Sequence, residues 1–174
     1  MADDDPRVRA YAARVIGRWS HALEDPQSSL LALAADPHPL VRLEVILASG
    51  QIPEARSILV VEAALRRPWD RWIEYAASQA IVHLKEKWIP AFVQGEIAFQ
   101  GEGAGFSFIL EQAKSRDLLD RMRALVVEGK LAGKVGESLM RALIEIGDER
   151  DVVRLMQQPV PRSLLDLLGK RTRP

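Results

Sequence analysis

The 174-residue chain contains no cysteine, which removes disulfides, thiolate metal sites, cysteine nucleophiles and covalent haem attachment through a CxxCH motif. It has no net charge either. Its 24 basic and 24 acidic residues cancel and are interleaved along the chain. No bulk field therefore draws it to nucleic acid or anionic lipid. No apolar run approaches the roughly 18–20 residues of a membrane span, so no membrane insertion is expected. The opening Met1-Ala2-Asp3-Asp4-Asp5 is acidic, the opposite of a signal peptide's start. That leaves the compartment unassigned. Histidine is scarce, at three residues, and aromatics make up only 6% of the chain. Those few aromatics are concentrated: eight of the ten fall between Trp69 and Phe108, including three of the four tryptophans.

Hydrophobic residues, at 48%, are ample for one core of ordinary size. Within Arg67-Pro68-Trp69-Asp70-Arg71-Trp72-Ile73-Glu74-Tyr75 and its continuation to Trp88-Ile89-Pro90-Ala91-Phe92, the period is helical. Ile73, Ala76, Ala77, Ala80, Ile81 and Leu84 form one stripe whose small alanines admit a neighbouring helix closely. Trp19, Trp72, Tyr75, Trp88 and Phe92 are assigned to the structural core on the same periodicity.

Helix starts recur at Asp5-Pro6, Asp25-Pro26 and Asp36-Pro37, where aspartate accepts from free first-turn amides and proline fits where no donor is missed. Val8-Arg9 and Val41-Arg42 lie 33 residues apart, and Leu40-Val41 and Trp72-Ile73 lie 32 apart. Helix, turn, helix at a near-constant period without strand signals predicts an all-α, right-handed solenoid. The expected organisation is a single domain: regular repeats over 1–93, a glycine-rich connection over 94–105, further helical pairs over 106–169 and a tail over 170–174. Asp117 with Asp120, and Asp148 with Asp151, place acids at the positive ends of later helices.

The repeated Asp-Pro-x-Val-Arg start resembles a HEAT repeat. A longer resemblance rests on Asp36-Pro37-His38-Pro39-Leu40-Val41-Arg42-Leu43-Glu44, Arg67 to Ala76 and Trp88-Ile89-Pro90-Ala91-Phe92 in that order. Together they are similar to the HEAT-like region of membrane-bound dehydrogenase and haem-binding proteins of planctomycetes and related bacteria. There the region sits between a β-propeller and a cytochrome c domain. The resemblance implies a non-catalytic spacer or docking segment of a larger exported redox protein. Neither dehydrogenase activity nor haem ligation transfers, because the propeller and any CxxCH are missing.

No catalytic residue, cofactor or metal ligand is assigned. His21 with Glu24 and Asp25 has ligand spacing on a helix but no second pair, and reads as surface. His38, between two prolines, is expected to cap the next helix, and His83 to be partly buried. Gly101, Gly103 and Gly105 lack the strand and the Lys-Ser/Thr of a phosphate loop and read as a connection. The remaining class of function is protein interaction. Candidate contact residues are Arg66, Arg67, Trp69, Arg71 and Glu74, and the expected partner is another protein or a neighbouring domain of the same parent chain. The alternative is a nucleic-acid-binding fold of the DNA-glycosylase-like type, which the zero net charge and the acids Asp70 and Glu74 oppose. Val8, Tyr11, Ala12, Val15, Ile16 and Trp19 put a full apolar face on the first helix, which predicts self-association through the N-terminal helices.

Overall fold

Aspartate–proline pairs start the first helices. In α1 (Pro6–Arg18) the Asp5 carboxylate accepts from the Arg7 amide at 2.9 Å, and in α2 (Pro26–Ala34) Asp25 accepts from the Ser28 amide at 3.0 Å. The third start works differently. α3 (Pro39–Gly50) is capped by His38, whose Nδ1 accepts from the Leu40 amide at 3.2 Å, while Asp36 holds the His38 amide at 2.8 Å. After α4 (Ser57–Ala64), Asp70 caps α5 (Arg71–His83) through the Trp72 and Ile73 amides, both at 3.0 Å. α6 (Lys85–Gln94) follows after the single residue Leu84 and ends on Gly95, whose φ of 79° is the left-handed conformation glycine supplies without strain. The apolar run from Ile73 to Phe92 is therefore two helices rather than one.

The computed structural model describes residues 3–99, 104–127, 133–157 and 159–171. Among them are eleven α-helices, a short 3-10 turn at Ser20–Ala22 and no strand. The fold is all-α, and the first unit is a solenoid of stacked helical pairs, as the period implies. The chain divides into two compact units, residues 1–101 and 102–174. In the first unit α1 packs on α3 and α3 on α5, forming one layer, while α2 packs on α4 behind them. In the second, α9 (Gly133–Ile146) is central. Around it lie α7 (Ala104–Ala113), α8 (Leu118–Val127), α10 (Glu149–Met156) and α11 (Arg162–Arg171). Asp148 and Asp151 form a reciprocal capping box at the start of α10. α11 runs through Arg171, into the stretch read as tail. Gly101, Gly103 and residues 172–174 lie outside the described residues.

Small residues set how closely the first layer stacks. The stripe Ile73, Ala76, Ala77, Ala80, Ile81 and Leu84 is buried throughout. Gly17 is tighter still: a Cβ there would lie 2.8 Å from both Cα and Cβ of Ala48. Gly17→Val should therefore push α1 off α3 and cost about 1–3 kcal/mol, read as a lower urea midpoint at unchanged slope. A wild-type midpoint would show that the two helices yield without cost.

An arginine ladder ties successive repeats together. Arg9 Nη1 donates to the Asp3 and Asp4 carbonyls at 2.7 and 3.1 Å, while Nε and Nη2 clamp the Asp36 carboxylate at 2.7 and 3.0 Å. One repeat on, Arg42 Nη1 donates to the equivalent Asp36 and Pro37 carbonyls at 2.9 and 3.1 Å, and Nη2 reaches the Pro68 carbonyl at 2.7 Å. Arg14 adds a pair with Glu44. In the second unit Arg123 plays a similar part, pairing with Asp151 at 2.7 Å and Asp120 at 2.9 Å, which holds the Asp151 carboxyl below its usual range.

Candidate interaction surface

Three residues expected in the core are on the surface. Trp19 is 61% exposed, Trp72 59% and Tyr75 66%. The periodicity was sound but its phase was ambiguous at these positions. On α5 the buried face is the alanine stripe. Trp72 and Tyr75, each one residue before or two after Ile73, fall about 100° or 200° away from that stripe at 3.6 residues per turn. On α1 the buried side is Ala10, Ala13, Ile16 and Gly17, which turns Val8, Tyr11, Val15 and Trp19 outward. Trp88 and Phe92 are buried, with the two rings 6.4 Å apart.

On α5 the outward residues Trp72, Tyr75, Gln79 and Val82 follow one another at intervals of three, four and three, a single stripe. The Arg71 guanidinium carbon lies 4.6 Å from the Trp72 ring centroid, a cation–π contact that fixes the indole. Beside the stripe a groove of about 260 Å³ runs between α3 and α5, lined by Leu47, Gly50, Gln79 and His83 among others. His83 is exposed on its rim rather than partly buried.

The candidate contact residues separate into two groups. Arg66 is committed to the buried Glu62 carboxylate, at 2.7 Å, and Arg67 Nε donates to the Ala35 carbonyl at 2.9 Å. Both cations staple the fold. Trp69 is half-buried. Arg71 and Glu74 are exposed on α5, next to the outward aromatic stripe. The missed signal was the pair Trp72 and Tyr75, off the phase of the alanines.

A second cleft of about 680 Å³ is lined by His21, Glu24, Asp25, Gln27, Glu54 and Arg56, among others. Two of its carboxylates are engaged: Asp25 holds Ser28 through its amide and its hydroxyl, and Glu54 accepts from Gln27 at 2.5 Å. Among the described residues no group of three or more His, Asp or Glu is arranged to hold a metal ion. No helix among them is long and apolar enough to cross a membrane.

Stacked helical pairs, an arginine ladder between them and an exposed aromatic edge define the first unit as an α-helical repeat structure. Residues 1–82 match the family model for HEAT repeats. No curated protein and no solved structure matches the chain. The comparisons thus support the repeat part of the resemblance and do not extend to dehydrogenases or haem-binding proteins.

Proposed function

We propose that the chain is a non-catalytic protein-docking module and that α5 carries its contact surface. The observation behind this reading is the outward stripe of Trp72 and Tyr75 with Arg71 stacked on the indole. Tryptophan, tyrosine and arginine dominate binding energy at protein interfaces: the two aromatics bury large rigid areas at low entropic cost, and Arg71 is already held against the indole. Leu47 and the groove between α3 and α5 supply an apolar margin, and Glu74 a charged rim. HEAT-like repeats suit this role, since stacking builds an extended surface from simple units.

The test separates docking from folding. Because both rings are mostly outside the core, Trp72→Ala and Tyr75→Ala should each leave stability within about 0.5 kcal/mol of wild type. A photo-crosslinker at Gln79 should capture a protein partner in the wild-type background and lose it in either variant. A midpoint that falls by several kcal/mol would return both rings to a structural role.

A further inference from the structure

The repeat stacks by a donor face on one helix and a receiving face on the next. On α1 the donors are Arg9, which clamps Asp36, Arg14, which pairs with Glu44, and Gly17, which lies against Ala48. On α3 the donors are Arg42, which reaches Pro68, and Gly50, whose nearest neighbour outside its own helix is Ala80, 3.6 Å from an added Cβ. Donor helices thus share arginine and, eight residues later, glycine: Arg9 and Gly17, Arg42 and Gly50. Receiving helices share an acceptor ahead of the first turn, then a buried apolar stripe. On α3 this is Asp36, Val41, Val45, Ala48 and Ile52; on α5 it is Pro68, Ile73, Ala77, Ala80 and Leu84.

Stepping back one period of 33 residues from α3 gives the same set on α1: Asp3, Val8, Ala12, Val15 and Trp19, with Tyr11 in the place of Glu44. Here the set is uncovered. Val8, Tyr11, Val15 and Trp19 are all exposed, whereas Val41, Val45, Ala48 and Ile52 are buried. The Asp3 carboxylate is exposed too, where its counterpart Asp36 is clamped by an arginine. A face of this composition calls for a donor helix. Another copy of this chain does not supply one from α5, because the donor positions there hold Glu74 and Val82 instead of arginine and glycine. Glu74 would meet Asp3 as a like charge, and Val82 would stand where close approach needs no side chain.

We propose that the outer face of α1, from Asp3 to Trp19, is a receiving surface for a helix of another helical-repeat protein, one that carries arginine and, eight residues on, glycine. The arginine clamps Asp3 as Arg9 clamps Asp36, and the glycine settles over Val15 as Gly17 settles over Ala48. This rests on the reading of the chain as a docking module but uses a different face from α5, so the two stand or fall separately.

The probe is the chain's own donor helix. A second copy of residues 3–35, carrying Trp19→Phe, is fused directly ahead of Asp3 of the full chain. The added Arg9 then lies the same 27 residues from Asp3 as Arg9 lies from Asp36, and tethering raises its effective concentration. Docking should shield Trp19 of the original repeat from acrylamide, with Trp19→Phe in that repeat identifying the signal. It should also raise the thermal midpoint by about 5 °C. Arg9→Glu in the added copy alone should reverse both changes. Trp19 left as accessible as in the parent would overturn the proposal. So would a parent chain that forms a dimer by light scattering and loses it with Tyr11→Glu, since a second copy would then be the occupant.

Discussion

Trp88→Ala is expected to lower stability by about 3–5 kcal/mol, the range for removing a large buried aromatic. Against the ~5–15 kcal/mol that holds a domain together, this brings the first unit near its unfolding threshold. Trp88 is fully buried, and its Nε1 donates to the Ile81 carbonyl at 3.2 Å, so one side chain ties α6 back onto the end of α5. Its ring meets Phe99 edge-on at 5.9 Å, and Phe99 lies 5.2 Å from Phe92, closing a three-ring cluster. Alanine would leave a cavity that three separate segments must collapse to fill. Trp88→Phe keeps most of the ring volume and should recover most of the loss. Equilibrium denaturation in urea measures both, and an alanine variant within 1 kcal/mol of wild type would show that the cluster is dispensable.

Asp36→Ala is the second large effect. The carboxylate clamps Arg9 through two hydrogen bonds and accepts the His38 amide at the start of α3, so it serves the ladder and the helix entry together. The pair is largely enclosed, with the arginine side chain 15% and the aspartate side chain 7% exposed. Removing one partner of a fully buried pair costs about 3–5 kcal/mol because it strands the other charge, and this pair is part-buried. The partial exposure of Arg9 places the expected loss at the lower end, about 3 kcal/mol. Arg9→Leu together with Asp36→Ala should cost less than the sum of the two single changes, which a double-mutant cycle reads directly.

Acid should imitate this variant. The hydrogen bond from Arg9 holds the Asp36 carboxyl below its usual range, that from Arg123 does the same for Asp151, and that from Arg7 draws Asp5 down to about 2. A depressed carboxyl contributes stability above its unfolded pKa and loses it as pH falls through the folded value. Stability should thus be flat above pH ~5 and decline below pH ~4. Glu111 runs the other way: burial, and then the neighbouring Glu145, push its carboxyl up, so protonating it partly offsets the decline. In the Asp36→Ala variant the acid slope should be shallower.

Much of the first unit was legible because its signals are local. An aspartate before a proline starts a helix through the next few amides, and Asp5 and Asp25 do this as their neighbours dictate. His38 was readable as a cap for the same reason. The candidate surface was legible only in part. Arg66 and Arg67 looked available in sequence, and only the fold brings Ala35 to Arg67, 32 residues away in the chain. Trp72 and Tyr75 looked like core because aromatics usually are, whereas α5 packs on α3 through its alanine stripe and turns the two rings outward.

The helical period, the helix starts, the small-residue stripe on α5 and, through the 33-residue spacing, the repeat can all be read from residue order. These depend on contacts within a turn or two of helix, which residue order specifies directly. Which face of each helix is covered depends on the packing. It put Trp88 inside and Trp19, Trp72 and Tyr75 outside, gave Arg9 a carboxylate and Arg42 a carbonyl, and left the receiving face of α1 open. Burial belongs to a pair of helices. An apolar stripe states that a helix can be covered, and only the position of its neighbour states whether it is.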